Sequence, residues 1–382
     1  MTRFRSFSSD RRWVYLTATL VFAAGLAGWQ RRGESAEPSS RGREQRLQER
    51  FQQFDKNRDG VLQREEIPRL FDRLDANGDG QVTMEEVRAR FRRAERGSGR
   101  RGAPSAEELA NIKTTLDVPY AEGAGRSDRL LRLDIYAPKQ GAGHPVVIYV
   151  HGGGWRVGDK RAVHRKVPFF PDRGYVFVSV NYRLVPQVDV ATEAQDVANA
   201  IAWVHDHIPQ YGGDPTRLFL MGHSAGAHLI ALVATNDEFL KKAGKNLAIL
   251  RGVIPLDTQA YDLVALMSNR PARVYRTAFG DDRNTWERLS PIHHVRAGKR
   301  IPPFLICFSR GLGRTANPRR KASAEKFARA LKAAGVQADI VDASDRNHGE
   351  INQWLGRPDD KVTSAVMAFL ESLQEKPSAN GQ

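Results

Sequence analysis

Residues 218–226 read Leu-Phe-Leu-Met-Gly-His-Ser-Ala-Gly. Four apolar residues predict a buried strand, and the small apolar residues that follow predict a helix over Ala225–Ala234. Ser224 falls on the turn between them. A nucleophile placed there needs a sharp, strained turn, and Gly222 and Gly226 let the backbone pass closely on either side of it. The first turn of the helix also favours negative charge developing near Ser224. A Gly-x-Ser-x-Gly string arises by chance fairly often, so the strand before it and the helix after it carry the weight.

Outward from this turn, short apolar runs alternate with amphipathic stretches. Strands are expected at Leu131–Tyr136, Val146–Val150, Tyr175–Asn181, Leu218–Met221, Gly252–Leu256, Phe304–Phe308 and Ala338–Val341. Helices are expected at Thr192–Ile208, Ala225–Ala234, Ala322–Ala334 and Lys361–Leu373. Strands rich in β-branched residues and separated by helices argue for an α/β class, a mostly parallel sheet covered on both faces.

Chemistry in such sheets sits at the strand ends. His151-Gly152-Gly153-Gly154-Trp155 follows the strand VVIYV, about 70 residues before the serine. Glycines there let backbone N–H groups converge on one oxyanion, so Gly152, Gly153 and the N–H of Ala225 are the candidate donors. His151 itself reads as structural. A general base is expected after the serine in chain order, and His348, between the last strand and the last helix, fits. His293 and His294 lie in a Pro-flanked stretch and His205 and His207 in a helix, so they read as structural.

These residues together resemble the α/β-hydrolase superfamily, in the esterase and lipase branch related to hormone-sensitive lipase, over residues 114–373. HGGGW, Asn181-Tyr182-Arg183-Leu184, Gly213-Asp214-Pro215, GHSAG and His348 carry the likeness. It implies a carboxylic ester hydrolase in which Ser224 attacks an ester carbonyl, His348 moves the proton and a carboxylate orients His348. It also implies a small ester as substrate and no cofactor in catalysis.

The pattern breaks at the acid. The family takes it from the loop after the strand Phe304–Phe308, yet no Asp or Glu occurs from Arg288 through Ala324. Asp257, ending the preceding strand, is the favoured replacement. Asp345 is the alternative; in a third reading no carboxylate serves and Asn317 holds the imidazole by hydrogen bond alone. A domain without an acid would act as a binder or a weak esterase, and a small-amide hydrolase stays open beside the esterase. The segment Thr258–Val295 is expected to cover part of the site as a modest cap.

A second module precedes this half. Asp55, Asn57 and Asp59 stand at positions 1, 3 and 5 of a twelve-residue loop, Gly60 at its sharp turn, Val61 at the carbonyl position and Glu66 at its end. Asp75, Asn77, Asp79, Gln81 and Glu86 repeat the pattern 20 residues on. Calcium takes six to eight oxygens, two of them from the terminal glutamate. Apolar residues at Leu47, Phe51, Phe54, Ile67, Leu70, Phe71 and Leu74 keep helical spacing around the loops. Residues 44–93 thus resemble an EF-hand pair with Ca2+ in a structural or tethering role, one helix serving both loops.

Before it, residues 1–30 carry an Arg-rich start and an uncharged apolar run from Trp13 to Gly28. A bilayer span needs about 20 such residues, so this shorter run suits a signal peptide, with a membrane anchor as the alternative. Export, secreted or periplasmic, is the expectation. Residues 31–43 and 94–113 read as linkers and 374–382 as a tail.

Of the 382 residues, 59 are Lys or Arg and 44 Asp or Glu, a net charge of +15. Seven arginines and one glutamate in 88–101, with nine Lys or Arg and no acid in 288–324, account for all of it. A diffusely basic nucleic-acid binder is therefore not expected; the linker suits an anionic polymer or membrane. Cys307 is the sole cysteine, which excludes an intramolecular disulfide and a thiolate metal cluster. Nothing in the sequence speaks to oligomeric state.

Overall fold

The computed structural model describes residues 40–68, 71–75, 79–89, 110–121, 129–269, 271–313 and 315–374. The expected signal segment, Leu70, Asn77 and the tail lie outside them, as does most of both linkers. The chain divides into two compact units, Met1–Arg101 and Gly102–Gln382.

In the first unit, helix α1 (Ser40–Phe54) leads into strand β1 (Val61–Leu62); helix α2 (Phe71–Leu74) precedes strand β2 (Val82–Thr83). The strands pair antiparallel, with Leu62 opposite Val82 and both wholly buried. Phe51, Ile67, Phe71, Leu74 and Val87 close a small core around them. One four-residue helix lies between the loops, as the short spacing requires.

The second unit is built on eight strands: β3 (Ile112–Pro119), β4 (Arg132–Pro138), β5 (His144–Val150), β6 (Val176–Val180), β7 (Gly213–His223), β8 (Leu250–Leu256), β9 (Phe304–Ser309) and β10 (Ala338–Ala343). They lie in the order β10-β9-β8-β7-β5-β6-β4-β3. β4 runs antiparallel to both its neighbours, β3 and β6, and every other pairing is parallel. Two cores form, one on each face. Helices α4 (Val190–His207) and α5 (Ala225–Thr235) belong to one; α3 (Lys166–Phe169) and α9 (Lys361–Gln374) belong to the other. Every residue of α5 is buried, which is why it reads apolar all round.

Three expectations need correction. Strand β3 went unread and overlaps the expected linker 94–113; as an edge strand with one neighbour, most of its side chains face solvent and it lacks apolar alternation. Strand β7 starts at Gly213 rather than Leu218, in register with His144 of β5. Helix α7 (Pro318–Ala333) starts four residues before the expected Ala322, because Asn317 caps it by accepting from Arg319 N at 3.0 Å and Pro318 suits a first helical position. Helix α8 (Glu350–Gln353) follows β10.

Candidate active site

Ser224 stands between β7 and α5 with φ +57° and ψ −114°, a conformation costly for a residue with a Cβ. Its N–H donates to Leu256 O at 3.0 Å, tying the turn to the end of β8. The flanking glycine is needed for close approach: a Cβ on Gly226 would stand 2.2 Å from Val150 O. A Cβ on Gly152 would stand 2.9 Å from the Ser224 Cβ, so the glycine loop lies against the serine. Ala225 opens α5, where N–H groups have no partner within the helix.

His348 reaches the serine from the loop between β10 and α8. Its Nε2 is 2.8 Å from Ser224 Oγ and its Nδ1 is 2.6 Å from Asp257 Oδ2. Accepting the serine proton at Nε2 assigns the imidazole proton to Nδ1, which donates to Asp257. Two further contacts fix the loop: His348 N donates to Gly311 O at 2.9 Å, and His223 Nε2 donates to His348 O at 2.7 Å. Burial pushes His223 down to about 3, so it is neutral and able to make that single donation.

Asp257, just past the end of β8, is wholly buried and also held at positive φ, +62°. Its Oδ1 accepts from Ser309 N at 3.0 Å and Arg320 Nη1 at 2.7 Å. Its Oδ2 accepts from Ser309 Oγ as well as from His348. Burial by itself would raise the carboxyl. The His348 hydrogen bond, the Arg320 charge and Ser309 more than offset it and hold Asp257 well below the usual carboxylate range.

Of the candidate acids, the structure brings only Asp257 to His348. Asp345 is half exposed and pairs with Arg346 and Lys361 at 2.9 and 2.8 Å. Asn317 spends its side chain on the α7 cap. His151 is buried against Tyr182, its Nδ1 donating to Gly152 O at 2.9 Å, and His294 bonds Arg288 O, so both read as structural. Ser309 and Arg320 were not foreseen: a strand-end serine and one arginine in a basic stretch carry no local signature.

The segment after β8 does cover the glycine loop. Helix α6 (Arg273–Phe279) packs Tyr275 and Phe279 on the Trp155 ring, with centroids 5.7 and 4.8 Å away. A Cβ on Gly154 would meet Val274 at 2.7 Å.

The calcium-type loops repeat one geometry. Asp55 Oδ2 accepts from Gly60 N at 3.0 Å, and Glu66 accepts from Lys56 N at 2.7 Å and Gln63 N at 3.0 Å. In the second loop Asp75 accepts from Gly80 N at 3.2 Å and Glu86 from Thr83 N at 2.9 Å. Carboxylate, amide and carbonyl oxygens without Cys or His suit a hard cation such as calcium. As they stand these carboxylates are turned to loop N–H groups, and among the described residues no three His, Cys, Asp or Glu side chains are arranged to hold a metal ion. A cation would take over those lone pairs.

The sheet order, the strained serine turn and the glycine loop define an α/β-hydrolase domain. Residues 133–310 match the BD-FAE family model, and 47–70 and 68–91 match the EF-hand model. The chain thus carries a BD-FAE α/β-hydrolase esterase domain following an EF-hand pair. The hormone-sensitive-lipase branch is a finer assignment than this match makes. A probable isoprenylcysteine alpha-carbonyl methylesterase of Arabidopsis thaliana is 28% identical over 265 residues, 64% of this chain and 54% of the plant protein. The chain thus spans about half the length of that relative. Kynurenine formamidase of Danio rerio is 29% identical over 263 residues, 68% of this chain and 82% of the fish protein. Esterase B of Lactobacillus rhamnosis has the same fold, with a TM-score of 0.59 at 20% identity over 76% of this chain and 94% of that one.

Proposed function

We propose that the second unit is a serine esterase acting on short-chain carboxylic esters, acyl groups on carbohydrate among them. The observation that carries this is the run of contacts from Asp257 through His348 to Ser224, 2.6 and 2.8 Å long. Ser224 Oγ attacks the ester carbonyl carbon while His348 Nε2 takes its proton, and Asp257 keeps the proton on Nδ1 in place. The oxyanion that forms is held by the N–H groups of Gly152, Gly153 and Ala225. When the tetrahedral intermediate collapses, the C–O bond to the alcohol breaks and His348 returns the proton to the leaving oxygen. Water, deprotonated by His348, then attacks the acyl-Ser224 ester, releasing the carboxylic acid and the free serine.

The test is turnover of p-nitrophenyl acetate by the protein and by its Ser224→Ala variant. Loss of about four orders of magnitude or more is expected, since removing the nucleophile leaves only oxyanion binding. Equal rates would sink the proposal.

Calcium in the two EF-hand loops and export through residues 1–30 complete the reading. The oxygen donor sets support the first; the Arg-rich start and apolar run support the second. A small-amide hydrolase is the second reading, favoured by the similarity to kynurenine formamidase. The same relay would serve it, and a comparison of rates on matched phenyl acetate and formanilide separates the two.

A further inference from the structure

Arg320 is a charged group at the site that the hydrolytic mechanism does not require. It lies on the first turn of α7, which opens Pro318-Arg319-Arg320-Lys321, and cations there oppose the helix dipole. Helix stability therefore gives no reason for it. Its side chain is only 8% exposed, although a buried guanidinium is costly without a counter-charge. Nη1 meets Asp257 Oδ1 at 2.7 Å and lies 3.4 Å from His348 Nδ1, while Nε has no partner. Gly311 leaves the space: a Cβ there would stand 2.9 Å from that Nε.

With Nδ1–H donating to Asp257, the 3.4 Å contact cannot be a hydrogen bond from Arg320. It becomes a like-charge contact once His348 takes a proton. Asp257 is thus divided between a permanent cation and a transient one. In a relay with an unpaired acid, the imidazolium has the carboxylate charge to itself. Ser224 and His223, whose ring centroid is 4.6 Å away, also face His348; on α8, Glu350 accepts from Asn347 N at 2.7 Å and lies 3.5 Å from Arg310. The charge of Lys166 on α3 acts on His223. None of these touches Asp257.

We propose that Arg320 is a positioning residue for hydrolysis: it fixes Asp257 at the end of β8 and shares that carboxylate with His348, so that its charge acts on the acid limb of activity. This rests on the Ser224–His348–Asp257 reading above. It also gives the basic stretch a role in the acid site: the carboxylate moved to the preceding strand, and the emptied loop leads into the helix carrying its counter-cation.

The decisive measurement is the pH dependence of kcat/KM in Arg320→Gln, which keeps a donor but no charge, and in Arg320→Met. An opposite or like charge within hydrogen-bond range shifts titration by about one to three pH units. The acid limb is expected to move up by about one unit in both variants, whichever of them expresses better. Arg320→Lys, retaining charge, should leave it within a few tenths. Folded neutral variants with reduced kcat and an unmoved acid limb would overturn the proposal and leave Arg320 as packing. An acid limb moved as far by Arg320→Lys as by Arg320→Gln would also overturn it, because charge would not be the cause. Ser224→Ala retaining full turnover would instead sink the hydrolase reading itself.

Discussion

Asp55 and Asp257 each hold both carboxylate oxygens in hydrogen bonds, but they are built in opposite ways. Asp55 is satisfied by N–H groups four and five residues away in its own loop, at 3.2 and 3.0 Å. Asp257 takes its partners from Ser309, Arg320 and His348, 52, 63 and 91 residues away. The first is a local device offered to a cation from solution; the second is a tertiary device with its cation already in the chain. A carboxylate that must bind reversibly takes its partners from the short loop around it, while one that must only orient a neighbour can draw them from across the fold, provided the fold supplies the charge.

The largest expected effect tests whether that burial serves catalysis. Asp257→Asn should lower kcat by about 10⁴, the cost of losing the acid in a serine–histidine relay. The control is Asp345→Asn, three residues from His348 in sequence but paired with Arg346 and Lys361 in space. Exposed pairs are worth about 1 kcal/mol or less, so kcat should change by less than about fivefold. If the two variants lose activity equally, the division between buried relay and surface pair fails.

The same contrast explains what the sequence disclosed. The EF-hand loops were legible because a twelve-residue loop carries its own chemistry. Ser224 and the glycine loop were legible because strand, turn and helix are contiguous, and His348 because chain order limits where a base can stand. Asp257 could be ranked but not chosen, since its claim depends on β8 lying beside β9. Arg320 looked like part of an obstacle to the mechanism: a basic loop where an acid belonged. Only the folding of the first turn of α7 back to the end of β8 makes it the carboxylate's partner. Ser309 was unreadable for the same reason. Strand β3 escaped because its exposed residues erase the alternation that marks a half-buried strand.

Calcium should act on one half of the comparison alone. The EF-hand unit has a small core, seven buried apolar side chains among its described residues, so ligand binding contributes much of its stability. At a calcium concentration of 100 times Kd the gain is about 2.7 kcal/mol, lost on adding EGTA. Calorimetry of the full chain should therefore show one transition moving down on chelation, with ester turnover unchanged. Glu66→Gln should reproduce much of that shift, because the loop's terminal ligand supplies two oxygens. A reversible collapse of turnover on chelation would break the separation between local and tertiary device.

The smallest effect concerns a second buried cation. Lys166, wholly buried in α3, resembles Arg320 in burial but has no carboxylate paired with it among the described residues. Its Nζ donates to Asn352 O at 2.8 Å and lies 4.9 Å from the Tyr149 ring centroid. Burial pushes the ammonium down from 10.5 to about 7. The folded value lies below the unfolded one, so between about pH 7 and 10.5 the unfolded chain binds the extra proton. Stability then rises with pH through that window, and the burial cost is full below it. Comparing urea unfolding at pH 7 and pH 8, the protein should gain about 1 kcal/mol more than Lys166→Met does. An identical pH dependence in the two would mean that Lys166 keeps its charge when folded. A carboxylate would then not be what separates a tolerated buried cation from a neutralised one, and the contrast between Lys166 and Arg320 would have to rest on the guanidinium itself.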